Sequence, residues 1–135
     1  LYGGVGLFVP ALAAAVQGKV ISVDYSPAAT AAEQPCLADC DVELKSAKVE
    51  QVAAQLPKPG AVVLDPPRTG AGKDVIRSVA AAAPQAVVHV GCDPATFARD
   101  LHYWDEHGYG IEKMALINAF PGTHHFETIA LITPA

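Results

Sequence analysis

The sequence predicts an α/β fold built on a mostly parallel β-sheet with helices on both faces. Short apolar, β-branched segments alternate with alanine-rich helical segments through most of the 135 residues. The last two strands are joined by a short connection, which predicts an antiparallel pair at the C-terminal end. Glycines, acids and a cysteine follow several of the strands, and ligands bind at this edge of such sheets.

The individual elements follow from apolar periodicity and from boundary residues such as proline and glycine. Predicted helices cover residues 7–16, 27–34, 48–56, 73–83 and 94–107. Predicted strands cover residues 19–24, 61–65, 86–90, 110–117 and 126–132, with a weak strand at 42–44. The opening turn has no strand before it, so we expect residues 1–135 to be one domain whose first strand is truncated.

Composition and charge restrict the classes of function that the sequence is compatible with. Hydrophobic residues make up 51% of the chain, which predicts a well-packed globular protein. No apolar run could span a bilayer, no signal peptide is recognisable, and three cysteines cannot all pair, so we expect reduced thiols in a cytoplasm. The net charge of -5 is unusual for a free-standing nucleic-acid binder. Either the substrate is not nucleic acid, or parts absent here bind it.

Cys92 is the main candidate nucleophile. It follows an apolar strand that stops at Gly91, and Asp93 and Pro94 then have the pattern of an N-cap and first helical position. A cysteine at the positive end of a helix dipole favours the reactive thiolate, although the charge of Asp93 opposes this. The alternative is that Cys92 is a small buried hydrophobic residue.

The opening glycine turn resembles a nucleotide-binding element. Gly4 and Gly6 precede a helix, and Asp24 ends the next strand, where a carboxylate can accept hydrogen bonds from ribose hydroxyls. The pattern does not separate a dinucleotide from S-adenosylmethionine, and tight packing alone also explains it.

A second motif, Asp65-Pro66-Pro67-Arg68-Thr69-Gly70, follows a buried strand. Two prolines fix an extended, rigid backbone there. Asp65 is expected to project into a cleft, and Arg68 can hold a phosphate or carboxylate. The alternative is a stiff turn with a surface arginine.

The segment from Phe120 to Glu127 leads into the final strand. Glu127 begins an apolar run and is a candidate general base, or alternatively an exposed residue at a strand start. His124, His125 and Glu127 lack a fourth ligand at a telling spacing, so a polar loop explains them better than a metal site. Tyr103 and Trp104 are interpreted as packing residues.

Together these segments resemble the catalytic domain of the RNA uracil-5-methyltransferase family. The matching segments are Leu1-Tyr2-x-Gly4-Val5-Gly6-Leu7-Phe8, Asp65-Pro66-Pro67-Arg68-x-Gly70, Cys92-Asp93-Pro94-Ala95-Thr96-x-Ala98-Arg99-Asp100-Leu101 and Phe120-Pro121-x-Thr123-x-His125-x-Glu127-Thr128. Gly3 departs from the pattern, since a cysteine is usual there, and Asn118 stands where the family has an aspartate.

The resemblance implies a Rossmann-like class I methyltransferase that uses S-adenosylmethionine to methylate C5 of uridine in tRNA or rRNA. It implies catalytic roles for Cys92, Glu127 and Asp65. The cofactor-binding residues that it implies are Tyr2, Gly4, Gly6, Asp24 and Asp65, and the substrate-binding residues are Arg68, Phe120 and His125. RNA is then held largely by regions outside this chain.

Two other functions also fit the sequence. Asp-Pro-Pro also resembles the motif of amino-methyltransferases acting on a nucleobase, although those have an aromatic residue where Arg68 stands. A non-catalytic cofactor-binding fragment is the other alternative. A dinucleotide oxidoreductase would leave Cys92 and Glu127 without a role.

Overall fold

The structure is a computed structural model that describes residues 1–27 and 35–135. The chain divides into two compact units, unit 1 (Leu1–Val52) and unit 2 (Ala53–Ala135). The helix predicted at 27–34 lies outside the described residues from position 28 onward. No helix in the described ranges is long and apolar enough to cross a membrane.

Unit 1 contains a two-stranded parallel sheet. Its elements are α1 (Val9–Ala15), β1 (Val20–Asp24), β2 (Val42–Ser46) and α2 (Val49–Val52). β1 pairs with β2 from Val20 opposite Val42 to Asp24 opposite Ser46, so the weakly predicted strand is present and longer than expected. Val9, Val20 and Leu37 form its buried apolar cluster.

Unit 2 contains a four-stranded sheet. Its elements are β3 (Ala61–Leu64), α3 (Lys73–Ala81), β4 (Ala86–Gly91), α4 (Pro94–Glu106), β5 (Tyr109–Ile117) and β6 (Glu127–Pro134). The strand order is β3-β4-β6-β5, with β3 parallel to β4 and β6 antiparallel to both of its neighbours. The antiparallel pair at the end of the chain is therefore confirmed.

Several predicted boundaries were wrong by a few residues. α1 begins at Val9 rather than at residue 7 because the glycine turn runs to Phe8, and it ends at Ala15, one residue earlier than predicted. The helix predicted at 48–56 is α-helical only over Val49–Val52 and then tightens into a 3-10 turn at Ala53–Gln55, as commonly happens at the C-terminal end of an α-helix. α3 ends at Ala81, and Ala83 has a positive φ of 55° that no α-helix accommodates.

The core of unit 2 lies between its sheet and the packed helices α3 and α4. Leu64, Ile76, Val87, Trp104 and Ile132 are among its fully buried side chains. Each such side chain contributes about 1.5–3 kcal/mol of hydrophobic free energy relative to exposure. This core holds the strand ends that carry the candidate site.

Candidate active site

The register of β6 against β4 brings Cys92 and Glu127 to the same edge of the sheet. β4 ends at Gly91, whose partner on β6 is Thr128. Cys92 follows Gly91 along the chain, and Glu127 precedes Thr128 on the antiparallel strand. Cys92 and Glu127 therefore each lie one position beyond the last pair of the β4–β6 register. Asp65 reaches this edge as well, because it follows β3, which runs parallel to β4.

A cavity of about 290 Å³ opens at this edge. Its lining residues are Arg68, Cys92, Phe120, His125, Phe126 and Glu127. The structure thus gathers five predicted site residues around one space, and Phe126 is an addition that the sequence did not single out. Asp65 is not among the lining residues, although its charge acts on Glu127.

Cys92 is held between the end of β4 and the start of α4. It is half-buried and has no disulfide partner. Asp93 caps α4 as predicted, since its carboxylate accepts hydrogen bonds from the backbone N–H groups of Ala95 at 3.1 Å and Thr96 at 3.0 Å. The bond from the Thr96 N–H is the main reason that the pKa of Asp93 lies below its usual value. Asp93 therefore stays ionised beside Cys92.

Glycine is required at position 91, just before Cys92. A Cβ built there would collide with the Phe97 ring, whose Cγ would be only 2.9 Å away. The approach of Phe97 over this glycine packs the first turn of α4 against the end of β4.

Glu127 and Asp65 are two carboxyl groups whose pKa values both lie above their usual values. The pKa of half-buried Glu127 is raised above its usual value, first by burial and then by the negative charge of Asp65. The pKa of Asp65 is raised because neighbouring protein withdraws its carboxylate from water, although the residue remains exposed. A carboxylate with a raised pKa binds a proton more readily, as a general base requires.

The motif around Arg68 forms a loop over residues 65–72, which we call the Pro-Pro-Arg loop. The Gly70 N–H donates to the Pro67 carbonyl at 2.8 Å, closing a turn with Gly70 at a positive φ of 78°. The Arg68 side chain is 68% exposed and lies 3.8 Å from the Asp93 carboxylate. Because an exposed pair of this kind is weak, the guanidinium can turn to an anionic ligand.

The loop before β6 is shaped by its own sequence. The Thr123 N–H donates to the Phe120 carbonyl at 3.2 Å, with Pro121 and Gly122 between them. Gly122 has a φ of 79°, as the third residue of a type II turn requires. The turn places the Phe120 ring edge-on to the His125 ring, with centroids 6.5 Å apart. Two rings therefore line one side of the cavity.

The remaining predicted cofactor residues lie in unit 1. Gly4 and Gly6 have positive φ values of 52° and 88°. The Asp24 carboxylate accepts hydrogen bonds from the Gly4 N–H at 2.9 Å and from the Ser26 N–H at 2.7 Å. Tyr2 also has a positive φ of 58°, and its hydroxyl donates to Glu50 at 3.3 Å. Asp24 thus organises the glycine turn, a role that the sequence did not indicate.

Contacts within unit 1 explain why glycine, rather than the cysteine usual in the family, occupies position 3. Its N–H donates to the Val23 carbonyl at 2.9 Å, and a Cβ built on it would collide with the Ser22 hydroxyl. A cysteine could occupy this position only if the Ser22 side chain moved.

Sequence reasoning missed a set of residues behind the site. His89 and Asp100 are almost completely buried, and the Trp104 indole N–H donates to His89 Nδ1 at 3.0 Å. Arg99 pairs with Asp100 at 2.8 Å. The sequence contained one signal of these contacts, the histidine within the apolar run of β4. A buried polar side chain needs a hydrogen-bond partner. Trp104 is a core residue as predicted, and it is a hydrogen-bond donor as well.

The chain is similar to a known protein family and to RNA methyltransferases of two bacteria. Residues 48–134 match the family model described as tRNA (Uracil-5-)-methyltransferase. An uncharacterised RNA methyltransferase of Corynebacterium glutamicum is 55% identical over 131 residues, which are 97% of this chain and 32% of that protein. Another from Corynebacterium efficiens is 54% identical over 133 residues, which are 98% of this chain and 32% of that protein.

A solved structure is similar over almost the whole chain. It is the crystal structure of Pyrococcus abyssi tRNA (uracil-54, C5)-methyltransferase in complex with S-adenosyl-L-homocysteine, with a TM-score of 0.80 and 28% identity. The similarity covers 98% of this chain and 33% of that one. The predicted Rossmann-like methyltransferase fold is confirmed. The chain spans about a third of the length of the relatives it matches.

Proposed function

The chain belongs to the tRNA (uracil-5-)-methyltransferase family, and from that premise we propose that residues 1–135 are a methyltransferase catalytic domain that modifies C5 of uridine in RNA. The observation that carries the proposal is the cavity shared by Cys92 and Glu127. A sulfur nucleophile and a carboxylate base beside one small cavity are the groups that methylation at this carbon needs.

S-adenosylmethionine is the proposed methyl donor, and the residues of the glycine turn fit such a ligand. Nothing lies within 4 Å of a Cβ built on Gly4, so the backbone there is open to close approach. The proposed donor-binding residues are Tyr2, Gly4, Gly6 and Asp24 in unit 1 and Asp65 in unit 2. Asp24 still has acceptor capacity for ribose hydroxyls, because each carboxylate oxygen accepts only one of the observed bonds from Gly4 and Ser26. When bound, this cofactor supplies the methyl group that C5 receives.

Cys92 opens the reaction because C5 of uracil is a poor nucleophile. Its thiolate attacks C6 and forms an S–C6 bond, and the electron pair of the C5–C6 double bond moves into an enolate. C5 of this enolate is nucleophilic and would take the methyl group that S-adenosylmethionine supplies, with the S–CH3 bond broken and S-adenosylhomocysteine as the leaving group. The ring is then saturated at C5, which carries both a hydrogen and the new methyl group.

Glu127 completes the reaction as the base. Its carboxylate takes the proton from C5, the C5–C6 double bond forms again, and the S–C6 bond breaks to return the Cys92 thiolate. The raised pKa of Glu127 suits this role because its carboxylate has a higher affinity for the proton than an exposed glutamate. Asp65 contributes part of that shift through its charge.

Arg68, Phe120 and His125 are the proposed substrate-binding residues. The exposed guanidinium suits a phosphate of the RNA backbone, and the two rings suit an unstacked base. A uridine must leave its stack to enter a cavity of about 290 Å³, at a cost of a few kcal/mol. With a net charge of -5, the chain holds RNA weakly in this proposal, and the additional length seen in the relatives supplies most RNA contacts.

The test uses the natural full-length protein with RNA that contains 5-fluorouridine. The fluorine replaces the proton that Glu127 removes, so we expect a covalent protein–RNA adduct on Cys92. Cys92→Ala should form no adduct and no 5-methyluridine. Cys40→Ala is the matched control, because Cys40 is a reduced cysteine in the apolar cluster of unit 1, and it should keep both activities.

Three results would contradict the proposal. An active Cys92→Ala variant excludes the covalent mechanism. A methyl group found on adenine by nucleoside mass spectrometry favours an amino-methyltransferase instead. Calorimetric binding of S-adenosylmethionine without any methyl transfer identifies a cofactor-binding module.

A further inference from the structure

Three side chains on one face of α4 bind the backbone of the Pro-Pro-Arg loop. The Thr96 hydroxyl donates to the Arg68 carbonyl at 2.8 Å, and Arg99 Nη2 donates to the Thr69 carbonyl at 2.8 Å. Asp100 accepts from the Ala71 N–H at 2.6 Å and the Gly72 N–H at 3.3 Å. Four of the five positions after Pro67, all except Gly70, are therefore bonded to a single helix.

The spacing of the three residues makes this possible. Residues 96, 99 and 100 are separated by three and four positions, so they share a helix face. Thr96 lies in the first turn, only four residues after Cys92. The helix that begins directly after the nucleophile thus also fixes the loop that carries Asp65 and Arg68.

Asp100 is the anchor of this arrangement because its carboxylate is fully buried. Its charge is compensated by Arg99, whose Nε and Nη2 donate at 3.2 and 2.8 Å. Gly70 leaves no room for a side chain here, since a Cβ would lie 2.5 Å from Arg99 and 2.6 Å from Asp100. The loop is packed directly onto the ion pair, and a carboxylate buried this deeply is costly unless each oxygen is bonded.

We propose that Thr96, Arg99 and Asp100 are positioning residues that set Arg68 and Asp65 at a fixed distance from Cys92. They contact the loop rather than the reacting atoms. The inference rests on the proposed function, because it assumes that Arg68 and Asp65 serve the same reaction as Cys92.

Whether the three side chains hold the loop can be tested without measuring catalysis. Hydrogen exchange of the loop amides is measured in the natural full-length protein, with Asp100→Asn and Thr96→Val as the variants. Since Ala71 and Gly72 donate to Asp100, their exchange in Asp100→Asn should accelerate at least about tenfold relative to amides of β4. Thr96→Val, which keeps the side-chain shape, should accelerate exchange at Gly70 and Ala71. Unchanged loop exchange in both variants overturns the proposal.

The effect of the loop contacts on catalysis is tested by comparing Thr96→Val with Thr96→Ser. Loss of one hydrogen bond should lower kcat/KM for RNA about fivefold to tenfold in Thr96→Val, whereas Thr96→Ser keeps the hydroxyl and should stay within twofold of wild type. Equal activity of the two variants overturns the proposal.

A double-mutant cycle separates positioning from a general loss of stability. If Thr96 acts by placing Arg68, Thr96→Val should change kcat/KM less than twofold in an Arg68→Ala background. A full fivefold loss in that background contradicts the assigned role. If wild-type protein makes no 5-methyluridine at all, the proposed function fails, and the exchange measurement still decides whether the three residues hold the loop.

Discussion

The buried histidine behind the site makes the stability of unit 2 depend on pH. His89 Nδ1 accepts the Trp104 indole N–H, so the neutral ring carries its proton on Nε2, which lies 3.6 Å from the Asp100 carboxylate. The Phe97 ring packs edge-on against the imidazole, with centroids 5.5 Å apart. Burial lowers the pKa of His89 to about 4, although the charge of Asp100 acts in the opposite direction.

The sign and size of the effect follow from proton binding. Between pH 6.5 and about 4, the unfolded chain protonates this histidine and the folded chain does not. The free energy of unfolding therefore falls as the pH is lowered through that window, and His89 contributes no pH dependence well above pH 6.5. The pKa difference corresponds to about 3 kcal/mol in total. Between pH 7 and 4.5 the expected loss is about 2 kcal/mol.

The variant that isolates this contribution is His89→Asn. Its side-chain oxygen can accept the Trp104 N–H in place of Nδ1, and it does not titrate. Urea unfolding at several pH values between 7 and 4.5, followed by the fluorescence of Trp104, gives both stability curves, since Trp104 is the only tryptophan in the chain. Asp65 and Glu127 also titrate with altered pKa values, but they do so in both proteins and cancel in the difference.

The expected result is a pH-dependent difference rather than a constant one. His89→Asn should be less stable at pH 7 because it leaves a small cavity, and wild type should lose about 2 kcal/mol of this advantage by pH 4.5. Parallel curves for the two proteins would show that His89 titrates alike in the folded and unfolded chain, which would refute the reasoning.

Two further predictions concern the site and its loop. Glu127→Gln should lower turnover by about 10²- to 10⁴-fold while the covalent Cys92–RNA adduct accumulates. The control is Glu112→Gln on β5, where the side chain is exposed. An unchanged rate in Glu127→Gln would exclude Glu127 as the base. Gly70→Ala should destabilise the protein by about 2–4 kcal/mol, because it adds a collision with Arg99 and Asp100 to the strain of a positive φ of 78°. Gly72→Ala has a similar φ of 80°, but no atom lies within 4 Å of the added Cβ. It should therefore cost only the backbone strain, about 1–3 kcal/mol in urea unfolding. Equal losses for the two variants would contradict the packing argument.

The elements that sequence predicted well are those with local signals. Asp93 and Pro94 mark the start of α4 because a carboxylate side chain and a missing N–H suit a helix N-terminus whatever surrounds it. The Pro121–Gly122 pair likewise determines its own turn, since one residue fixes φ and the other allows a positive value. Such features depend on a few neighbouring residues and can be identified without the fold.

The position of β6 between β4 and β5 could not be predicted from such signals. Strand order depends on pairing between segments that are far apart in sequence, such as Gly91 with Thr128. The sequence placed Cys92 and Glu127 near strand ends but contained no sign that one strand would lie beside the other. Their meeting at one cavity therefore had to come from the resemblance or from the structure.

The buried network was missed for the same physical reason. A histidine in a strand and an aspartate in a helix each have an ordinary local environment in sequence, and Asp100 would normally be assigned to a solvated helix face. Only the packing of α4 against β4 shows that His89 and Asp100 face each other at 3.6 Å. Burial then determines their charge states, and no sequence pattern reports burial of this kind.

α4 joins these observations into one structural argument. Asp93 anchors its first turn beside Cys92, Thr96 and Arg99 bind the Pro-Pro-Arg loop, and Trp104 reaches back to His89 in the core. The side chains of α4 therefore hold the Pro-Pro-Arg loop against the helix that follows Cys92. Substitutions that remove the bonds from Thr96 or Arg99 to the loop should therefore change the spacing between Cys92 and Arg68, whereas the spacing between Cys92 and Glu127 depends on the pairing of β4 with β6 and should stay the same.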